Sequence, residues 1–221
     1  MITTLSTDEL TDYICRQLNH FYPDKQVVKC AQLKPFVSSS LERMEYCISH
    51  FKRTYFNKNG NPYFDHLHSD QYAMFLYFLS NTIFKEENHL NISAKIYYLN
   101  KSLHAIDAFY AIELPDIFYF NHCVGTVLGR AKYANFFAVA PNCIIGGNHG
   151  HWPVFGEYVG LYKNATVVGN VKTGSNVHIT PHTVVRDQDI PKDTIVFGSS
   201  PNLVFKKPSC TVKEFWFDGK S

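Results

Sequence analysis

The sequence predicts an α+β protein, an N-terminal helical region followed by a parallel β-solenoid. Two observations carry that prediction. Of 12 glycines, only Gly60 precedes residue 125, so the first half is helix-compatible and the second is turn-rich. From Ile112 onward apolar residues recur with a six-residue period. Val159, Ala165, Val171, Val177 and Thr183 mark the period, each followed two residues later by Leu161, Val167, Thr173, Ile179 and Val185. Residues two apart on a strand share a face, so each hexad offers one small and one larger inward side chain.

The helices are read from their caps. Ser6-Thr7-Asp8-Glu9 is a capping box that opens a helix running through about Phe21. Ser39-Ser40-Leu41-Glu42 reads as the start of a second, toward Phe51, and FNKNGNPYFDH then breaks the pattern. A third runs from about Ser69 through Phe84, apolar nearly all round and so predicted to be buried. A fourth covers about Ile92 to Ala108. In the repeat, Asn164, Asn170, Asn176 and His182 fall three residues after the larger inward position, where a corner needs a residue that tolerates a left-handed backbone. A corner every six residues describes stacked coils; a β-sandwich would space its turns by roughly 8–12 residues. The expected organisation is a helical domain over 1–108, a β-helix domain over 109–207 and a tail over 208–221.

Composition narrows the function classes. A formal net charge of +2 gives no electrostatic reason to expect nucleic acid or a membrane surface. No signal peptide and no span of roughly 18 apolar residues is visible, so a cytoplasmic protein is expected. The six cysteines are scattered without a CxxC pair, which reads as reduced thiols and no zinc site.

The segment from Asp107 to Phe205 resembles the serine acetyltransferase branch of the hexapeptide-repeat, left-handed β-helix acyltransferases. It looks most like members that acetylate sugars in bacterial surface-polysaccharide pathways. The resemblance is carried by LPDIFYFNHCVGTVLGRA, by NCIIGGN, by the hexads and by FGSSPNLVF. It implies acetyl-CoA as co-substrate and a homotrimer, or a dimer of trimers, with sites between adjacent β-helices. It also implies His122 as the base and Asp107, fifteen residues earlier, as its partner.

That assignment makes chemical sense. A hydroxyl is a poor nucleophile at neutral pH, and a histidine titrates near working pH. A carboxylate on the far ring nitrogen fixes the tautomer and stabilises the imidazolium. Gly146 and Gly147 allow close backbone approach and are expected at the cofactor side of the site. The resemblance places Lys163, Thr180 and Pro181 along the pantetheine arm, Gly198 and Ser199 at the end of the helix, and Lys206 and Lys207 near the nucleotide phosphates. His149, His151 and Trp152 occupy the acceptor loop, where the family's arginine, a carboxylate clamp, is missing. Asn121 replaces the acid that precedes the family's histidine. These departures favour a saccharide hydroxyl over serine. His149 and His151 lack a third ligand, so no metal is expected. His66, His68 and Asp70 cluster at a helix start and read as a cap or surface cluster. The alternatives are a serine O-acetyltransferase and a catalytically silent trimeric scaffold. The tail ends without the isoleucine that serine acetyltransferases use to dock cysteine synthase.

Overall fold

A computed structural model describes residues 1–87 and 89–219. Lys220 and Ser221, part of the predicted tail, lie outside the described residues. Helix α1 (Thr7–Phe21) has the expected capping box, with Ser6 Oγ accepting from Glu9 N. Helix α2 (Cys30–Ser49) starts well before the predicted Ser39 and carries Pro35 inside it. The prolines and serines there read as a boundary, but burial of Leu33, Phe36 and Val37 outweighs the one backbone bond that Pro35 forgoes. Between α2 and the next helix, β2 (Asn57–Lys58) and β3 (Asn61–Phe64) form a small sheet with β1 (Ile2–Thr3).

Helix α3 (Ser69–Glu87) is buried nearly all round, as its sequence predicts, because α2, α4 (Leu90–His104) and the solenoid strand Phe118–Phe120 all pack on it. Two of its polar groups tie it to the solenoid: Tyr77 Oη donates to Ile112 O at 2.9 Å, and Asn81 Nδ2 donates to Tyr110 O at 2.8 Å. Helix α4 ends earlier than predicted. Ala105 takes a left-handed conformation (φ 52°), and Asp107 is already in a strand.

The rest is a parallel β-solenoid with three faces. The first face comprises β5 (Phe118–Phe120), β7 (Phe137–Val139), β9 (Val159–Leu161), β11 (Val177–Ile179) and β13 (Thr194–Phe197), closed by antiparallel β14 (Val204–Lys206). The second comprises β4 (Asp107–Ala108), β6 (Val127–Leu128), β8 (Ile144–Gly146), β10 (Thr166–Val168) and β12 (Val184–Arg186). Bridges from Lys132 to Val154, Val154 to Lys172 and Thr173 to Ile190 make the third. The hexad positions all point inward: Val159, Ala165, Val171, Val177 and Thr183 are fully buried, as are Leu161, Val167, Ile179 and Val185. Asn164, Asn176 and His182 take the left-handed corners; at the remaining corner Gly169 does so in place of the predicted Asn170.

Residues 211–219 fold back over the first face. The short helical turn Lys213–Phe217 buries Trp216 and Phe217. Gly160 makes room for it, because a Cβ there would lie 2.2 Å from Trp216 Nε1.

Candidate active site

Part of the predicted set, His122, Asn121, Lys163, Thr180 and Pro181, gathers at the corner between the first and second faces. Asn121, Ala140, Tyr162 and Thr180 each follow a strand of the first face and hydrogen-bond to the next coil, as in Asn121 N to Val139 O and Tyr162 N to Ile179 O. The left-handed corner residues are Gly125, Asn142, Asn164 and His182. In three coils, three residues lead from the strand end to that corner; in the first coil, Phe120 to Gly125, five do. The matching bonds Asn142 N to Val124 O, Asn164 N to Pro141 O and His182 N to Lys163 O place Val124, Pro141 and Lys163 in one column. The two additional residues are therefore His122 and Cys123. Gly125 takes this corner at φ 75°, where a Cβ would meet Asn142 Oδ1 at 2.1 Å unless that side chain moved.

The insertion loops His122 out, with φ 50° and its side chain 75% exposed. Cys123 turns inward, where burial pushes its thiol pKa up and makes it a poor nucleophile.

The carboxylate beside His122 comes from α3, not from the predicted strand. Asp70, in the first turn of α3, accepts a bond from the His122 backbone N–H at 3.0 Å through Oδ1. Its Oδ2 lies 3.6 Å from His122 Nδ1. The Asp70 side chain is 3% exposed, and Oδ2 has no hydrogen-bond partner. Burial raises the Asp70 pKa against the opposing pull of the His122 N–H and imidazole. The left-handed backbone of His122 is thus held by the same carboxylate that faces its ring.

Asp107 does not meet His122. Its oxygens are taken by Tyr97 Oη at 2.6 Å and Lys101 Nζ at 2.7 Å. Burial works to raise its pKa, but these two bonds outweigh that and hold the carboxyl below its usual value. Both donors lie on α4, whose early end leaves them within reach.

The corner column borders a groove of about 410 Å³ lined by Asn121, Pro141, Tyr162, Lys163, Pro181, Trp216 and Arg53, among others. Lys163 and Pro181, expected along a pantetheine arm, both line this groove. Gly198 and Ser199 follow β13 at the same corner, one coil further on. Thr180 is in the column, but its hydroxyl is buried and bonded to Val196 O at 2.7 Å, out of reach of a ligand. Lys206 closes the first face on β14, its Nζ 5.6 Å from the Phe197 ring, and Lys207 follows it, exposed.

Gly146 ends β8, and Gly147, His149, His151 and Trp152 follow it to the next corner, between the second and third faces. Within one chain they are not brought to His122. Gly147 accommodates Trp152, whose Nε1 would sit 2.7 Å from a Cβ there, and Arg130 lies 6.0 Å from the Trp152 ring. His66 is occupied by Thr4 Oγ1 at 2.7 Å, and His68 stacks on Tyr55. Of that cluster only Asp70 touches His122; the cap reading missed it because the contact spans 52 residues of sequence.

No protein-family model matches the chain, and no curated protein is similar enough to match. Solved structures do match. A serine acetyltransferase from Neisseria gonorrhoeae is 16% identical at a TM-score of 0.69, over 95% of this chain and 82% of that one. One from Vibrio cholerae is 14% identical at 0.71, over 96% and 83%. One from Brucella abortus, in complex with coenzyme A, is 14% identical at 0.68, over 94% and 84%. At these identities the likeness shows the fold: a helical region followed by a hexapeptide-repeat β-solenoid.

Proposed function

We propose that the chain is an acetyl-CoA-dependent O-acetyltransferase in which His122 takes the proton from an acceptor hydroxyl. The observation that carries the reading is the looped-out, exposed His122 with the buried Asp70 carboxylate at its Nδ1. A carboxylate at Nδ1 favours the tautomer with hydrogen there, leaving the Nε2 lone pair toward solvent as the base. Asp70 then faces the imidazolium once the proton has moved. Acetyl-CoA supplies an activated thioester. The groove beside His122 suits its extended arm, having apolar walls in Pro141, Pro181 and Trp216 and a cation in Lys163. The structural neighbours are acetyltransferases, and one carries coenzyme A.

The acceptor we propose is a saccharide hydroxyl. Asn121 supports it, being neutral where an acid would hold an amine. The exposed Trp152, with His149 and His151, supports it only if a neighbouring copy carries that corner to His122, so this reading goes with a homotrimer. The outward residues of the second face, Val127, Ile144 and Val184, are 40%, 46% and 38% exposed and offer an apolar stripe for such an assembly. A second reading, serine as the acceptor, is favoured by the names of the structural neighbours. A cytoplasmic location fits reduced cysteines, and among the described residues no helix is long and apolar enough to cross a membrane.

The test is CoA release from acetyl-CoA, followed with a thiol reagent, across serine, nucleotide-sugars and capsular oligosaccharides. Turnover with a saccharide supports the first reading. Turnover with serine alone replaces it by the second, and no turnover with no acetyl-CoA binding contradicts both.

A further inference from the structure

A chain of hydrogen bonds runs from the C-terminal segment to the residue before His122. Arg53 donates from Nε to Trp216 O at 2.5 Å and from Nη2 to Phe215 O at 2.7 Å. Its Nη1 donates to Tyr55 Oη at 3.3 Å, Tyr55 Oη meets Tyr119 Oη at 2.5 Å, and Tyr119 Oη meets Asn121 Oδ1 at 2.7 Å.

The direction of this chain follows from its origin. A guanidinium has five N–H donors and no acceptor, so Tyr55 oxygen accepts from Arg53. If Tyr119 also donated to Tyr55, the Tyr55 hydrogen would face two donors and have no acceptor among the described residues. The satisfied arrangement has Tyr55 donating to Tyr119, which frees the Tyr119 hydrogen for Asn121 Oδ1. Tyr119 is fully buried, so an unpaired hydroxyl there has no water to turn to. The Asn121 amide is thereby fixed with its oxygen inward. Its Nδ2 has no partner among the described residues, and Asn121 lines the groove beside His122.

We infer that Asn121 selects the acceptor, its Nδ2 donating to an acceptor oxygen, with the polarity imposed by Arg53 through Tyr55 and Tyr119. The chemical class this recognises carries a hydroxyl, ether or carboxylate oxygen beside the reacting hydroxyl. An ammonium at that place would face an N–H donor and be rejected. The inference rests on the reading of His122 as the base.

Neutron diffraction from crystals exchanged into heavy water reads the polarity directly. The expected deuterons lie on Tyr55 toward Tyr119 and on Tyr119 toward Asn121; Nδ2 facing Tyr119 would overturn the inference. Turnover uses a matched pair, glycerate and L-serine, that differ in hydroxyl for ammonium. The natural chain should prefer glycerate, and Asn121→Asp should shift the ratio of kcat/KM at least tenfold toward serine. Tyr55→Phe should raise the KM for glycerate about threefold or more with kcat altered less than twofold. An unaltered ratio in Asn121→Asp, or an unaltered KM in Tyr55→Phe, counts against the inference. The failures separate: if His122→Ala is inactive while Asn121→Asp leaves the ratio unaltered, the selection falls and the base stands. If the deuterons lie as expected while no acceptor, saccharides included, releases CoA and acetyl-CoA does not bind, the polarity stands and the acetyltransferase reading falls.

Discussion

Asp70→Asn separates catalysis from folding. The carboxylate lies 3.6 Å from His122 Nδ1, where two unit charges attract by about 4–5 kcal/mol at an effective dielectric constant of about 20. Because the imidazole is largely in water, roughly 1.5–3 kcal/mol of that is expected to survive, about 10- to 100-fold in kcat. Asparagine also turns an N–H toward Nδ1 and so favours the tautomer that cannot use Nε2 as the base. Folding should respond in the opposite sense. Burial raises the Asp70 pKa, so the folded state pays for ionisation as pH rises through the folded value, and the neutral amide removes that loss. The assay is kcat from CoA release beside thermal melting at several pH values. The reasoning is refuted if the variant keeps kcat within twofold, or if it loses activity only in proportion to a lower melting temperature.

Asp107→Asn should leave kcat within about threefold, because that carboxylate serves Tyr97 and Lys101; a 100-fold loss in kcat would restore it as the partner of His122. Gly160→Ala forces a Cβ into the Trp216 indole and should destabilise by about 1–3 kcal/mol while raising the KM for acetyl-CoA, read by denaturant unfolding and initial rates. His104 has a pKa depressed to about 4 by burial, so the unfolded chain binds its proton first. Its contribution is complete above about pH 6.5 and is lost as pH falls toward 4, about 3 kcal/mol in all, and His104→Gln should flatten that part of the stability profile. Ile144→Glu on the outward face should convert the proposed trimer to monomers in analytical ultracentrifugation, with the fold retained by circular dichroism.

The solenoid was legible because its inward positions repeat every six residues and its corners need residues that accept a positive φ. Two capping signals misled in opposite ways. The Ser6 box marked α1, but Ser39 and Ser40 sit inside α2, whose buried residues begin earlier. His122, the proposed base, was singled out by its motif. Its carboxylate was not, since Asp70 arrives from a helix packed on the first coil and no spacing in the chain records that contact. Asp107 was misassigned because Tyr97 and Lys101, one turn of α4 apart, take it first. The Gly146–Trp152 segment was grouped with His122 by the family resemblance, whereas within one chain the coil puts the two at different corners. Arg53, Tyr55 and Tyr119 carried no signal, since Tyr55 and Tyr119 meet across 64 residues of sequence and Arg53 reaches the tail across more than 160.

The most direct measurement of the central claim is the rate of CoA release by His122→Ala against the natural chain, at saturating acetyl-CoA with an acceptor that the natural chain turns over. A base in this position accounts for a loss of about 10²- to 10⁴-fold in kcat with acetyl-CoA binding unchanged. A variant that retains full activity would contradict the account.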